Sequence, residues 1–188
     1  MGWINDSLRY LKTDPYFRAG VHRDLTFSIM YAFSENFVLP LSHDEVVHMK
    51  GSLFGKVPGT EEQKFATVRA FWAYMLAHPG KKLLFMGAEL GQYSEWDFAS
   101  ELPFELVCKP ENSALYSYFK EINKFYKSNK PLWDLDFDGN GFQWICPDES
   151  EKNIIGFVRK DTQGKELVFI CNFSGITVSD FRLGVTGT

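Results

Sequence analysis

From Trp3 to Leu11 the apolar residues Ile4, Leu8 and Leu11 recur at helical spacing, and Asp14-Pro15 ends the segment. Asp24 to Phe33 reads as a further helical stretch. Phe37-Val38-Leu39-Pro40-Leu41 is a short continuous apolar run. Its length and flanks predict a strand buried on both faces, as in a parallel sheet, with Pro40 at the strand end. Thr60-Glu61-Glu62-Gln63 has the form of a capping box, in which the first and fourth side chains each satisfy a free backbone N–H at a helix start. Behind it Phe65, Val68, Phe71, Trp72, Met75 and Leu76 share one helical face, and Pro79-Gly80 stops the helix. Lys82 to Met86 predicts a second buried strand, followed by a loop rich in glycine and aromatic residues from Gly87 to about Glu111. Leu115, Tyr118, Phe119, Ile122, Phe125 and Tyr126 mark another helix, closed by Asn129 to Pro131.

The order helix, strand, helix, strand, helix is a βα-repeat pattern and implies a parallel sheet. After Pro131 the period changes. Phe142–Cys146, Asn153–Arg159, Glu166–Phe173 and Thr177–Phe181 read as short strands, separated by turn-forming stretches such as Pro147-Asp148-Glu149-Ser150 and Asp161-Thr162-Gln163-Gly164. That is a run of antiparallel hairpins. An α/β part therefore gives way to an all-β part near residues 129–140, and the chain divides into 1–133 and 134–188. Both parts look incomplete: two strands do not close a parallel sheet, and four hairpin strands make half of a typical sandwich.

Composition narrows the classes. The chain has 188 residues, 45% of them apolar and 23% charged, which is ordinary globular composition. A complete (β/α)8 barrel needs about 250 residues and does not fit. The 18 Phe, 8 Tyr and 5 Trp can build a large core, and they can also build surfaces on which the C–H face of a sugar stacks. The net charge is −4 with the signs interspersed, and the longest basic clusters are pairs such as Lys81-Lys82. Nothing tracks a phosphate backbone, so nucleic acid is not expected as a partner. Cys108, Cys146 and Cys171 form no CxxC pair and no disulfide framework, which points to a reducing cytoplasm. The polar, helix-like pattern behind Met1-Gly2-Trp3 leads us to expect no signal peptide, and no apolar stretch reaches the roughly 18 residues that span a membrane.

The most polar cluster in an apolar setting is Ser42-His43-Asp44-Glu45-Val46-Val47-His48, directly after the first predicted strand. In α/β folds the carboxyl ends of strands hold the active site, so His43 and Asp44 are candidate site residues. The same cluster also reads as a solvated loop with Asp44 capping the next turn. A metal reading would join His43, Asp44 and His48, although no second acidic cluster accompanies them. Glu89, Trp96 and Asp97 fall in the loop after the second strand, on the face expected for Asp44. Trp96 reads as a sugar platform or as a loop anchor tucked into the core. Trp72 reads as core, Trp133 and Trp144 as packing between the two parts, and His22 and His78 as residues without chemistry. No Ser/His/Asp arrangement, GxSxG, GxxxxGK[ST] or GxGxxG opening a helix is present, so nucleotide and hydride chemistry have no support.

The run Phe37-Val38-Leu39-Pro40-Leu41-Ser42-His43-Asp44-Glu45-Val46-Val47-His48 closely resembles the seventh-strand motif of bacterial glycogen branching enzymes, members of the alpha-amylase superfamily. Further ordered matches are Met1-Gly2-Trp3-Ile4-Asn5-Asp6, Leu25-Thr26-Phe27, Glu35-Asn36-Phe37, Gln63-Lys64-Phe65-Ala66 and Pro79 to Gly87. Glu95-Trp96, Leu135-Asp136-Phe137, Gly141-Phe142-Gln143-Trp144 and Phe157-Val158-Arg159 continue the series, so the resemblance covers nearly the whole chain.

The resemblance implies the C-terminal portion of a (β/α)8 barrel, about strands seven and eight with their helices, followed by part of an antiparallel all-β domain. It also implies cleavage of an α-1,4-glucan and transfer of the cut piece to a 6-hydroxyl, with retained configuration. Such a reaction uses a carboxylate nucleophile and a carboxylic acid about 5 Å apart. By motif, Asp44 matches a third carboxylate that stabilises the transition state, and His43 matches a histidine that binds sugar hydroxyls. The family's nucleophile Asp and acid Glu lie on its fourth and fifth strands, and neither matches a position here. The chain is therefore expected to be a C-terminal fragment, inactive alone, of a parent enzyme that needs no cofactor. A non-catalytic glucan-binding module is the alternative, using Tyr93, Trp96 and the β part. A barrel cut in this way leaves open strand edges, so self-association is also expected.

Overall fold

The computed structural model describes residues 2–185; Met1, which opens the Met-Gly-Trp match, and residues 186–188 lie outside them. Helix α1 (Gly2–Lys12) buries Trp3, Ile4, Leu8, Tyr10 and Leu11. A 3-10 segment, Pro15–Val21, leads into α2 (Arg23–Thr26). Strand β1 (Val38–Leu41) and strand β2 (Lys81–Leu84) pair in parallel, with Val38 opposite Lys81 and Leu41 opposite Leu84. Between them run the short α3 (Leu53–Lys56) and the long α4 (Glu61–Ala77). The Thr60–Gln63 capping box forms as expected: Thr60 N–H donates to Gln63 Oε1 at 2.8 Å, and Gln63 N–H to Thr60 Oγ1 at 3.3 Å. Helix α5 (Pro110–Ser128) follows β2 after a long connection. Strands β3 (Phe142–Glu149), β4 (Ile154–Lys160) and β5 (Glu166–Asn172) then form an antiparallel sheet in the order β3-β4-β5. Gly156 of β4 has no room for a side chain, because a Cβ there would lie 2.6 Å from Cys146 Sγ on β3.

Four expectations need correction. Asp24–Phe33 is not one helix: α2 ends at Thr26, and Phe27–Met30 winds as a 3-10 turn. The tighter winding leaves Phe27 and Met30 in solvent and turns Ser28 inward, where its Oγ lies 2.8 Å from His78 Nε2. The two parallel strands are not buried on both faces. Leu39 and Leu41 sink toward the helices, whereas Val38 and Leu83 remain 49% and 42% exposed on the other side. Two strands without further cover cannot bury both faces of a parallel sheet. The glycine- and aromatic-rich connection is not continuous loop, since Ala88–Leu90 and Phe104–Cys108 wind as 3-10 turns and α5 starts at Pro110. Thr177–Phe181 forms no strand. Asn172 and Ser174 tie the chain into a tight turn, Asp180 takes a left-handed φ of 55°, and Phe181 ends against Lys152, whose Nζ lies 5.3 Å from the ring centroid.

One core runs under both sheets. Trp72, Phe71, Tyr74 and Met75 of α4 pack with Trp3 and Leu8 of α1, and with Ile155, Phe157 and Phe173 of the antiparallel part. Trp72 is 1% exposed, in the core as expected, and Trp133 and Trp144 pack against the same core. Two buried arginines fasten the sheet to the helices. Arg159 of β4 donates to the carbonyls of Ala77 at 2.6 Å and Gly141 at 3.1 Å, and pairs with Asp136 at 3.0 Å. Arg18 donates to the carbonyls of Phe173 and Thr13 and lies over the Tyr10 ring. His22 and His78, read as silent, are buried hydrogen-bonding joints: His22 Nε2 lies 2.7 Å from the Pro147 carbonyl, and His78 bridges Ser28 and the Pro79 carbonyl.

Candidate active site

Leu41 is buried at the end of β1, and Phe85 N–H donates to its carbonyl at 2.9 Å, extending the parallel pairing one step past β2. Ser42 stays extended, and His43–Glu45 then turn as a single 3-10 turn. The turn carries the His43 and Asp44 side chains out of the carboxyl end of the sheet, 58% and 71% exposed. His43 Nε2 lies 3.3 Å from Asp44 Oδ1, and Ser42 Oγ lies 3.3 Å from Asp44 Oδ2. The carboxylate is thus oriented by two neighbours while most of its surface stays open to a ligand.

An aromatic row lines one side. The His43 ring lies 5.8 Å from Phe85, and Phe85 meets Trp96 edge-on at 5.2 Å and 81°. Trp96 is half-buried and borders two spaces. One is an apolar cavity of about 20 Å³ against Leu41 and Val46, and the other an open cleft of about 340 Å³ along Ser94, Asp97 and Glu101. The indole therefore anchors its loop and also faces open space. Asp97 serves the loop itself: it accepts from Ala99 N–H and Ser100 Oγ, and these bonds hold its carboxyl below the usual carboxylate range.

The backbone of the loop after β1 is held by residues that no sequence pattern marks. The carbonyls of Asp44, Glu45 and Val46 each accept from a different donor: Lys50 Nζ at 2.7 Å, Lys56 Nζ at 2.5 Å and Trp96 N–H at 3.1 Å. Lys56 Nζ also donates to the carbonyls of Lys50 and Gly51. Burial pushes this ammonium below its ordinary pKa. His48, Met49 and Gly51 take left-handed φ values of 59°, 67° and 74°. Their backbone turns two N–H groups onto the Glu95 carboxylate, Met49 at 3.0 Å and Gly51 at 2.5 Å. These amides hold the Glu95 carboxyl below its usual range. The only sequence signal for this clasp is the adjacency of Glu95 and Trp96.

His43 and Asp44 come together, and Trp96 approaches them through Phe85. His48 does not complete a metal set with them: among the described residues no three His, Cys, Asp or Glu side chains are placed to hold an ion. No helix among the described residues is long and apolar enough to cross a membrane.

Residues 144–188 match the family described as "Alpha amylase, C-terminal all-beta domain". The chain is 52% identical to the 1,4-alpha-glucan branching enzyme GlgB of Aquifex aeolicus, an alignment over 98% of this chain and 30% of that protein. It is 51% identical to the enzyme of the same name from Aromatoleum aromaticum and 48% identical to that of Bacillus cytotoxicus, each over 98% of this chain and 29% of the relative. It thus spans about three-tenths of the length of the curated relatives it matches. With nearly every residue aligned at about half identity, the chain belongs to the family of bacterial 1,4-alpha-glucan branching enzymes, within the alpha-amylase superfamily, as a stretch of their longer sequence.

Proposed function

We propose that this stretch supplies one wall of the glucan site of a 1,4-alpha-glucan branching enzyme, which cuts an α-1,4-linked chain and transfers the piece to a 6-hydroxyl with retention. In this reading residues 1–133 complete a (β/α)8 barrel as its last two strands, and residues 134–188 begin the all-β domain behind it. The observation that carries the proposal is the exposed His43-Asp44 pair at the carboxyl end of a parallel strand, beside Phe85 and Trp96. Positive charge develops on the sugar ring as its glycosidic bond breaks, and a fixed carboxylate beside the ring stabilises that charge more than it stabilises the substrate. Asp44 takes that role. His43 binds a hydroxyl of the same sugar, and Trp96 offers its ring face to a neighbouring one. The nucleophile and the acid come from outside residues 1–188, so the 188-residue chain alone does not turn glucan over. The reaction is an exchange between glucan hydroxyls and calls for no cofactor, no nucleic acid and no membrane. A cytoplasmic location fits three cysteines that are all free.

Asp44→Asn in the complete enzyme tests this reading. The substitution keeps the shape and removes the charge, so kcat is expected to fall by at least about a hundredfold, the scale of losing one transition-state stabiliser. Near-normal turnover would refute the role of Asp44. The 188-residue chain alone, incubated with amylose, is expected to leave iodine staining unchanged. Glucan affinity together with near-normal turnover of the Asp44→Asn enzyme would favour a non-catalytic binding module.

A further inference from the structure

The turn that carries His43 and Asp44 is tied to its surroundings through its backbone. Three consecutive carbonyls, of Asp44, Glu45 and Val46, are bound from outside the turn. The next segment, His48 to Gly51, folds back with three left-handed residues, two of which carry side chains. Such backbone persists where something holds it, and it aims successive N–H groups at one point, forming a seat for an anion. The anion in this seat is Glu95, from the loop after β2. The converse arrangement sits beside it: the carbonyls of Glu45, Lys50 and Gly51 surround Lys56 Nζ and use all three of its protons. The two side chains therefore satisfy opposite halves of one loop, a carboxylate for its amides and an ammonium for its carbonyls. The residue after Glu95 adds the third tie, from Trp96 N–H to the Val46 carbonyl.

We propose that Glu95 and Lys56 are positioning residues, which fix the His43-Asp44 turn and lock it to the Trp96 loop without touching the substrate. This deepens the reading that His43 and Asp44 serve a glucan and rests on it. Both residues act through the backbone, so their loss lets Asp44 wander while leaving it present. A carboxylate that is mobile in the ground state must be ordered during the reaction, which slows turnover more than it weakens binding.

The experiment has two arms. In the 188-residue chain, amide hydrogen exchange is followed for Glu95→Gln and Lys56→Met, with Ile155 and Phe157 of the buried β4 reporting that each variant is folded. Glu95→Gln is expected to speed exchange at Met49 and Gly51 at least tenfold and to leave β4 unchanged. Glu95→Asp, which keeps the charge, recovers part of the protection. Lys56→Met keeps Met49 and Gly51 protected, because their acceptor remains. In the complete enzyme, Glu95→Gln and Lys56→Met are each expected to lower kcat at least tenfold with KM for amylose within about twofold. Unchanged exchange at Met49 and Gly51 in Glu95→Gln overturns the clasp. Unchanged kcat, or a loss confined to KM, overturns the positioning role. If the unsubstituted complete enzyme turns over no glucan, the functional reading fails, and the exchange arm still decides whether Glu95 holds the loop.

Discussion

Arg159 and Asp136 show what a buried charge requires. Arg159 is fully buried, yet its guanidinium meets a carboxylate and two backbone carbonyls, and Asp136 takes a second cation in Lys81 at 3.0 Å. Removing one partner leaves the other uncompensated, so Asp136→Ala is expected to lower the unfolding free energy by about 3–5 kcal/mol in urea titrations. The double variant Asp136→Leu/Arg159→Met, which removes both charges, is expected to lose less than Asp136→Ala alone. His78 makes a different residue-scale prediction. Its burial between Ser28 and Pro79 pushes the imidazole pKa down to about 3, while the unfolded chain titrates near the ordinary 6.5. The unfolded state therefore takes up the proton first. The contribution of His78 is complete above about pH 6.5 and is lost as pH falls toward 3, by up to about 1.4 kcal/mol per pH unit. Thermal unfolding from pH 7 to pH 4 is expected to show a shallower decline for His78→Gln than for the unsubstituted chain. Neither role was legible in sequence, because Arg159 and Ala77 lie far apart in the chain and His78 gains its partners only when α4 stops beside Phe27–Met30. The placement of His43 and Asp44 at a strand end was legible for the opposite reason: a polar triplet directly after an apolar run stands out without any tertiary knowledge.

Among the elements, α4 was the most readable, since its start, apolar face and stop are all local. Its capping box predicts that Thr60→Ala costs about 1 kcal/mol, measurable as a lower thermal midpoint. The 3-10 turn at Phe27–Met30 and the failed strand at Thr177–Phe181 were not readable. In the first, a long-range bond to His78 outweighs helical periodicity; in the second, alternation is present but a left-handed Asp180 breaks the extension. The loop after β1 combines both kinds of information. Its strand-end position was evident, but no glycine marks the left-handed backbone at His48 and Met49, and the clasp by Glu95 spans 44 residues to Gly51. The loop should also respond to acid. The groups facing Glu95 are Lys56 and His48, both of which favour its ionised form. With the carboxyl pKa depressed in the folded state, its contribution is complete above the ordinary carboxylate range and is lost as pH falls through the depressed value. Exchange at Met49 and Gly51, corrected for the intrinsic pH dependence, is expected to accelerate there while β4 amides hold.

For the whole molecule, the parallel pair has helices behind it and leaves Val38, Leu83 and Met86 about half exposed on or beside its other side. Apolar strand faces and unpaired edges favour pairing with another chain. Sedimentation of the 188-residue chain is expected to show concentration-dependent association, and a strict monomer that binds no apolar dye would contradict an uncovered sheet. The joint made by Arg159 also has a bearing on synthesis. Its partner carbonyl on Ala77 precedes it by 82 residues. At about 5–20 residues per second, α4 is complete roughly 4–16 s before the side chain that closes over its end exists. For that interval the Ala77 carbonyl at the end of α4 stands open, and this part of the seam between helices and sheet closes only after β4 has been made. Nascent chains halted short of Arg159 should be cut by protease within α4, and chains as resistant as the finished one would show that the seam closes without it.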